Sequence, residues 1–244
     1  MNKTALVTGG SRGIGAAIVR RLCRDGYSVA INYNCSEDRA FALSSELSSL
    51  GYNVMCVRCN VSDSGQVGDM FDRVRQTLGD ISLLVNNAGI AQQKLFTDIT
   101  DADWQKMIDA DLSGCFYTCR EALGYMIREK SGKIINISSM WGQVGASCEV
   151  HYSAAKAGVI GLTRALAKEV GLSGITVNCV CPGVVDTDMM SQFTEDDIKS
   201  LCEEIPLGRI ASADDIAGVV GFLASADADY ITGQIIPVNG GFVI

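Results

Sequence analysis

Seven short runs, each nearly continuous in Val, Ile, Leu and other apolar residues, alternate with longer amphipathic stretches along this chain. The runs are Thr4–Val7, Ser28–Tyr33, Asn53–Arg58, Leu83–Val85, Lys133–Ile137, Thr176–Cys181 and Gln234–Val238. A strand that is apolar on both faces must be covered on both faces, as happens in parallel sheets flanked by helices. The stretches between include Gly13–Arg24, Glu37–Leu50, Gln66–Leu78, Asp101–Arg128 and Tyr152–Val170, all with helical periodicity. The βαβα order predicts an α/β fold: a Rossmann-type, doubly wound parallel sheet of about seven strands with helices on both faces. No proline-rich or glycine-serine linker and no fixed repeat interrupts residues 1–244, so a single domain is expected.

The first strand runs into Thr8-Gly9-Gly10-Ser11-Arg12-Gly13-Ile14-Gly15, which opens the first helix. Glycines at 9, 13 and 15 suit a tight turn, close backbone approach to a pyrophosphate and close helix–sheet packing. The helix N-terminus adds oriented N–H donors and partial positive charge. Ser11, Arg12 and Ile14 join these glycines as expected cofactor contacts. NAD sites usually hold the ribose hydroxyls with a carboxylate at the end of the second strand. Here that end reads Ile31-Asn32-Tyr33-Asn34-Cys35-Ser36, with no acid before Glu37. A missing carboxylate and a cation at Arg12 favour NADP(H). Asn32 joins the expected contacts at this end.

Composition removes several other roles. The formal net charge of -8 disfavours nucleic acid, which needs a basic stripe. No stretch approaches the ~20 apolar residues of a membrane span, and the first residues do not read as a signal peptide. A soluble, cytoplasmic protein is expected. Ten cysteines include Cys56-x-x-Cys59 and the pair Cys179 and Cys181, but there is one histidine and no second C-x-x-C. Both groups lie on strand-like runs, so reduced buried thiols are expected and a metal site is not.

Tyr152 and Lys156 stand four apart in a helical stretch and so share one face. A Tyr-x-x-x-Lys match alone is a common coincidence. Its chemistry is specific, however. A free phenol has a pKa near 10, and an adjacent ammonium favours the phenolate. Such a tyrosine can give a proton to a carbonyl oxygen or take one back.

The glycine loop, Asn86-Asn87-Ala88-Gly89, Ser138-Ser139, Tyr152-x-x-x-Lys156 and Pro182-Gly183 follow their strands in this order. Together they resemble the short-chain dehydrogenase/reductase family over the whole chain, down to Val238-Asn239-Gly240-Gly241. The resemblance implies a catalytic set of Ser139, Tyr152 and Lys156. Ser139 lies at the family's spacing before Tyr152; Ser138 competes, and spacing favours Ser139. It implies that Lys156 also holds the nicotinamide ribose. It implies cofactor contacts from Asn87, Ala88 and Gly89, from Asn60 and Val61, and from Pro182, Gly183, Val185 and Thr187. Where many members place Asn in a water-linked proton relay, this chain has Asp111, expected to serve in its place. His151 reads as a helix-entry or rim residue. Trp141 is either a pocket wall or core. Met189, Met190 and Phe193 suggest an apolar lid or a plain helix face, within a mobile segment Val184–Leu207 whose Thr194-Glu195-Asp196-Asp197 opens a short helix.

The whole-chain resemblance is best to the branch of bacterial 3-oxoacyl-[acyl-carrier-protein] reductases, which implies NADPH-dependent reduction of a carrier-protein- or CoA-bound 3-oxoacyl thioester. Arg128, Lys130 and Lys133 would offer an acidic carrier a basic patch near the site; Ser173 stands where such reductases often have arginine. Residues Gly145 to Val150 look similar to a firmicute subgroup that reduces a 5-aminopentanone modification on elongation factor P, with Glu149 facing the amine or only solvent. A steroid, sugar or small ketone stays open, as does a non-catalytic NADP(H)-sensing role. Small residues on the helix Tyr152–Val170, with the family's habit of pairing it and Asp101–Arg128 between subunits, imply a homotetramer, or failing that a dimer.

Overall fold

The computed structural model describes residues 3–190 and 193–244. All seven expected strands are present: β1 (Lys3–Val7), β2 (Tyr27–Tyr33), β3 (Val54–Arg58), β4 (Ile81–Asn86), β5 (Gly132–Ile137), β6 (Ile175–Pro182) and β7 (Ile235–Val238). They form one parallel sheet in the order β3-β2-β1-β4-β5-β6-β7. The order reverses between β1 and β4, which opens a crevice at the strands' C-terminal ends.

Alternate strand residues feed two cores. Ala5, Val7, Leu83, Val85 and Ile135 pack under α1 (Gly13–Arg24), α2 (Glu37–Ser49) and α9 (Ala213–Ala224). Leu6, Leu84 and Ile134 pack under α3 (Ser64–Leu78), α5 (Gly114–Glu129) and α7 (Val150–Val170). Each helix presents a stripe of period 3 to 4; α3 buries Val67, Met70, Phe71, Val74 and Leu78. Leu84 is fully buried, and truncating it to Ala would cost about 2–5 kcal/mol.

The expected helix Asp101–Arg128 divides in two. α4 (Asp101–Ile108) and α5 are joined by a π-helical stretch, Asp109–Ser113. No proline marks the change; one extra residue per turn shifts the register and carries Asp111 inward, where it is buried. Such π insertions gather at functional sites.

After Pro182-Gly183 the described residues form several local elements. Val185 bridges Ala211, a 3₁₀ turn covers Asp188–Met190, and α8 (Glu195–Glu204) starts at a Thr194/Asp197 capping box. The side chain of Met189 lies outside the described residues. A four-residue helix α6 (Trp141–Val144) precedes α7. Among the described residues no helix is long and apolar enough to cross a membrane.

The basic cluster is misplaced for its expected role. Lys133 lies at the N-terminal start of β5 and Lys130 caps the end of α5, at the sheet edge opposite the crevice. Lys133 is also engaged: its Nζ donates to the carbonyl of Ser225 at 2.6 Å and meets Asp229, closing the C-terminus of α9. That use satisfies helix-end carbonyls.

Candidate active site

Ser138 and Ser139 leave β5 side by side, and the structure separates their jobs. Ser138 Oγ donates to the Lys156 carbonyl at 2.8 Å, which pins α7 to the strand end. Ser139 Oγ accepts from the Trp141 N–H at 3.1 Å, so its own proton is left for another acceptor. Ser139, the residue favoured by spacing, is therefore the one able to donate to a substrate oxygen.

α7 brings Tyr152 and Lys156 to this point. Lys156 Nζ lies 5.6 Å from the centroid of the Tyr152 ring and donates to the Ile137 carbonyl at 3.3 Å. It also meets Asp111 Oδ2 at 3.0 Å, as an ion pair not aligned as a hydrogen bond. The other oxygen of Asp111 accepts from the Ile90 N–H at 2.8 Å. Asp111 thus touches the site through Lys156 and holds the loop after β4. Gly89 explains itself here: a Cβ would lie 2.7 Å from Asp111 Oδ2 and 3.2 Å from Lys156 Nζ.

The electrostatics differ from the simple pair. Burial alone pulls Lys156 down, but Asp111 and Tyr152 outweigh it and raise its proton affinity. The Tyr152 phenol is pushed up, chiefly by burial; Lys156 and a hydrogen bond with Ser139 oppose this, and Asp111 adds to it. Lys156 lowers the phenol as the pair alone predicts, yet the net direction is upward. The reason is that Asp111 already answers the ammonium, and burial keeps solvent from a phenolate.

The cofactor cradle forms at the β1/β4 switch. Gly13 has φ +52°, and a Cβ on Gly15 would stand 2.2 Å from the Gly9 carbonyl oxygen. Arg12 precedes α1 and its side chain does not cap it, so the first N–H groups of the helix are free to meet an anion. Ser11 is buried in the loop, Ile14 partly so. Thr187 Cγ2 approaches within 3.3 Å of where a Gly13 side chain would begin, so the chain after β6 lies across the loop.

Several expected contacts act one step back. Asn32 is 1% exposed, accepts from Gly9 N–H at 3.1 Å and donates to the Cys59 carbonyl at 3.1 Å. Both ends of its amide are engaged in shaping the loop. Asn87 donates to the carbonyls of Thr8 and Gly9, at 3.0 and 3.1 Å, and so fixes the same turn. Asn60 Oδ1 accepts from Ser62 N–H, and Val61 and Val185 are buried. Ala88 lies beside the loop, 2.9 Å from where a Gly9 Cβ would be, and Gly183 packs on Asn239 below Pro182.

Two features escaped the sequence reading. Arg39, in the first turn of α2, reaches the same carboxylate as Arg12, that of Asp188. Its only signal was its position just after β2. His151 is wholly buried rather than at a rim, with Nε2 3.0 Å from Gln92 Oε1. Trp141 stands edge-on to Phe242, ring centroids 6.0 Å apart. The ten cysteines are free thiols.

The chain is similar to known oxidoreductases along nearly its whole length. Residues 9–243 match the family model described as enoyl-(acyl carrier protein) reductase. The 3-oxoacyl-[acyl-carrier-protein] reductase of Staphylococcus epidermidis is 43% identical over 241 residues, covering 99% of both chains. An uncharacterized oxidoreductase of Bacillus subtilis is 42% identical over 243 residues, again 99% of both. Among solved structures, a putative gluconate dehydrogenase from Agrobacterium tumefaciens is 34% identical and superposes with a TM-score of 0.95, over 99% of this chain and 97% of that one.

Proposed function

The chain belongs to the short-chain dehydrogenase/reductase family of oxidoreductases, and from that premise we propose that it reduces a 3-oxoacyl thioester with NADPH to the 3-hydroxyacyl thioester. The observation that carries the reading is that Ser139 and Lys156 both meet Tyr152, with Lys156 against Gly89 next to the Ala88 that touches the glycine cradle.

The cradle fits a phosphorylated dinucleotide. Gly9, Gly13 and Gly15 admit the pyrophosphate, the bare N-terminus of α1 faces it, and Arg12 and Arg39 flank the end of β2 where a 2′-phosphate would lie. Bound there, NADPH supplies the hydride. Ser139 donates to the substrate carbonyl oxygen and so stabilises the charge that develops on it. Tyr152 gives that oxygen its proton; a raised phenol is protonated near neutrality and suits the reductive direction. Lys156 lies against the ring of Tyr152, and its positive charge offsets that of the phenolate left when the proton has gone. Asp111 and the Ile137 carbonyl hold the ammonium in place.

An acyl thioester suits the apolar surroundings. Lys94 N–H donates to the Cys148 carbonyl at 2.7 Å and joins the loop after β4 to the loop before α7. Leu95 and Phe96 after β4, Val144 at the end of α6 and Val150 at the start of α7 are exposed around that junction. The test is loss of NADPH absorbance with acetoacetyl-CoA. Turnover that requires NADPH over NADH and vanishes in Tyr152→Phe supports the proposal. Turnover in Tyr152→Phe at the parent rate removes it.

A second reading has one observation of its own. Glu149 is half-buried beside Tyr152, and its carboxyl is pushed up mainly by burial, eased by a hydrogen bond from Gln93. No cation pairs with it among the described residues. A substrate amine would answer that charge, as in a 5-aminopentanone group on elongation factor P. Glu149→Gln separates the two: it lowers kcat/KM for an amino-ketone and leaves acetoacetyl-CoA unchanged. Exposed Phe116 and Ile127 on α5 support a homotetramer, which a monomeric sedimentation coefficient at micromolar protein would exclude.

A further inference from the structure

Arg12 and Arg39 come from separate elements, the glycine loop and the first turn of α2. Their guanidiniums nevertheless converge on one atom, Asp188 Oδ2, which Arg12 Nη1 meets at 3.2 Å and Arg39 Nη1 contacts directly. Asp188 opens the 3₁₀ turn Asp188–Met190, immediately after Thr187, which lies against Gly13. All three side chains are about half exposed, at 53%, 55% and 48%, so none is locked in place by packing.

Two like charges focused on one point need an anion between them. A carboxylate brings one negative charge. A phosphate monoester brings nearly two near neutral pH, and three acceptor oxygens that suit the fork of a guanidinium. The pair flanks the end of β2, where the absence of a ribose-binding carboxylate leaves room for a 2′-phosphate.

We propose that Asp188 is a specificity-determining residue: it sits where the 2′-phosphate of the cofactor would sit and competes with that phosphate for Arg12 and Arg39. The inference rests on the NADPH reading above. Two consequences follow. A 2′-phosphate has the charge to displace Asp188, whereas the neutral 2′-hydroxyl of NADH does not. Displacement also frees the turn Asp188–Met190 from the arginines, so phosphate binding is coupled to the segment that crosses the glycine loop. In the absence of phosphate, Asp188 keeps the two cations together and the site preformed.

The test compares the intact protein with Asp188→Asn, which keeps the shape and removes the charge. Dissociation constants are measured by calorimetry for NADPH, NADH and the fragment 2′,5′-ADP. Asp188→Asn should tighten NADPH and 2′,5′-ADP by about three- to tenfold at low ionic strength, leave NADH within about twofold, and lose most of that gain in about 0.5 M salt. NADPH affinity that is unchanged or weaker in Asp188→Asn overturns the proposal, as does an equal gain for NADH. The underlying cofactor reading fails separately. If the parent protein binds NADH as tightly as NADPH, and Arg12→Ala with Arg39→Ala changes neither, the arginines are not a phosphate site and both readings fall. A parent preference for NADPH with no effect of Asp188→Asn removes only the role of Asp188.

Discussion

Replacing Asp111 by Asn takes one charge from an ion pair that has almost no water. The side chains of Lys156 and Asp111 are 6% and 0% exposed, and their charged atoms stand 3.0 Å apart. At that distance, with an effective dielectric near 20, the attraction is about 5 kcal/mol. Most of it is offset by removing both ions from water, so the pair as a whole adds little. Leaving one ion alone is different and costs about 3–5 kcal/mol, a large share of a total stability of about 5–15 kcal/mol. The amide introduced by Asp111→Asn would keep an oxygen for the Ile90 N–H, so the loop contact survives, but its NH₂ would face the ammonium donor to donor. The pH dependence carries a sign. In the parent, burial pulls Lys156 down and Asp111 and Tyr152 more than compensate, so its folded-state affinity for the proton exceeds the unfolded one. Its contribution is therefore complete below the unfolded value of about 10.4 and is lost only as pH rises through the folded one. In the Asn variant burial prevails, the folded state binds its proton more weakly than the unfolded chain, and stability rises with pH. Urea unfolding at fixed protein concentration should show the variant about 3–5 kcal/mol less stable near pH 7, with the gap to the parent narrowing towards about pH 9.5. Asp111→Leu combined with Lys156→Met should recover most of the loss. A gap under about 1 kcal/mol, or one that widens with pH, would refute this account of the pair.

Three further outcomes are expected. Because Tyr152 is raised by burial and by Asp111, against the pull of Lys156, oxidation of a 3-hydroxyacyl thioester, which needs the phenolate, should climb as pH rises above neutrality, while reduction stays level there; an oxidative rate that falls over that range contradicts it. Gly15→Ala places a methyl 2.2 Å from the Gly9 carbonyl oxygen, so NADPH affinity should drop at least about tenfold while the far-ultraviolet circular dichroism is retained; parent-like affinity would show that the loop yields freely. Lys133→Met breaks the closure of α9 at Ser225 and Asp229 and should cost about 1–2 kcal/mol of stability with kcat unchanged; a selective rise in KM for carrier-protein-bound substrate would restore the docking role that its position opposes.

The strands were legible because a parallel strand covered on both faces must be apolar at nearly every position, and short length with β-branched content separates such a run from a buried helix. The candidate side chains Ser139, Tyr152 and Lys156 could be proposed from the sequence because the serine closely follows a strand, the other two share one helix face, and the proposed chemistry needs those residue types. What stayed hidden depends on register and on three-dimensional convergence. A π-helical stretch adds one residue to a turn without changing composition, so Asp109–Ser113 reads as ordinary helix although it is what turns Asp111 onto Lys156. Asn32 sits where a cofactor contact belongs, but a polar residue at a strand end serves backbone or ligand equally well until its partners are known; here they are Gly9 and Cys59. Arg128, Lys130 and Lys133 are neighbours in sequence, yet the strand they introduce separates them from the crevice by its own length. Arg12 and Arg39 are the reverse case. Far apart in sequence, they look like two solvated cations, and only the turn between β2 and α2 brings both to a single carboxylate. Chemistry along one element can be read from spacing, whereas chemistry shared between elements needs the sheet order that places their ends together.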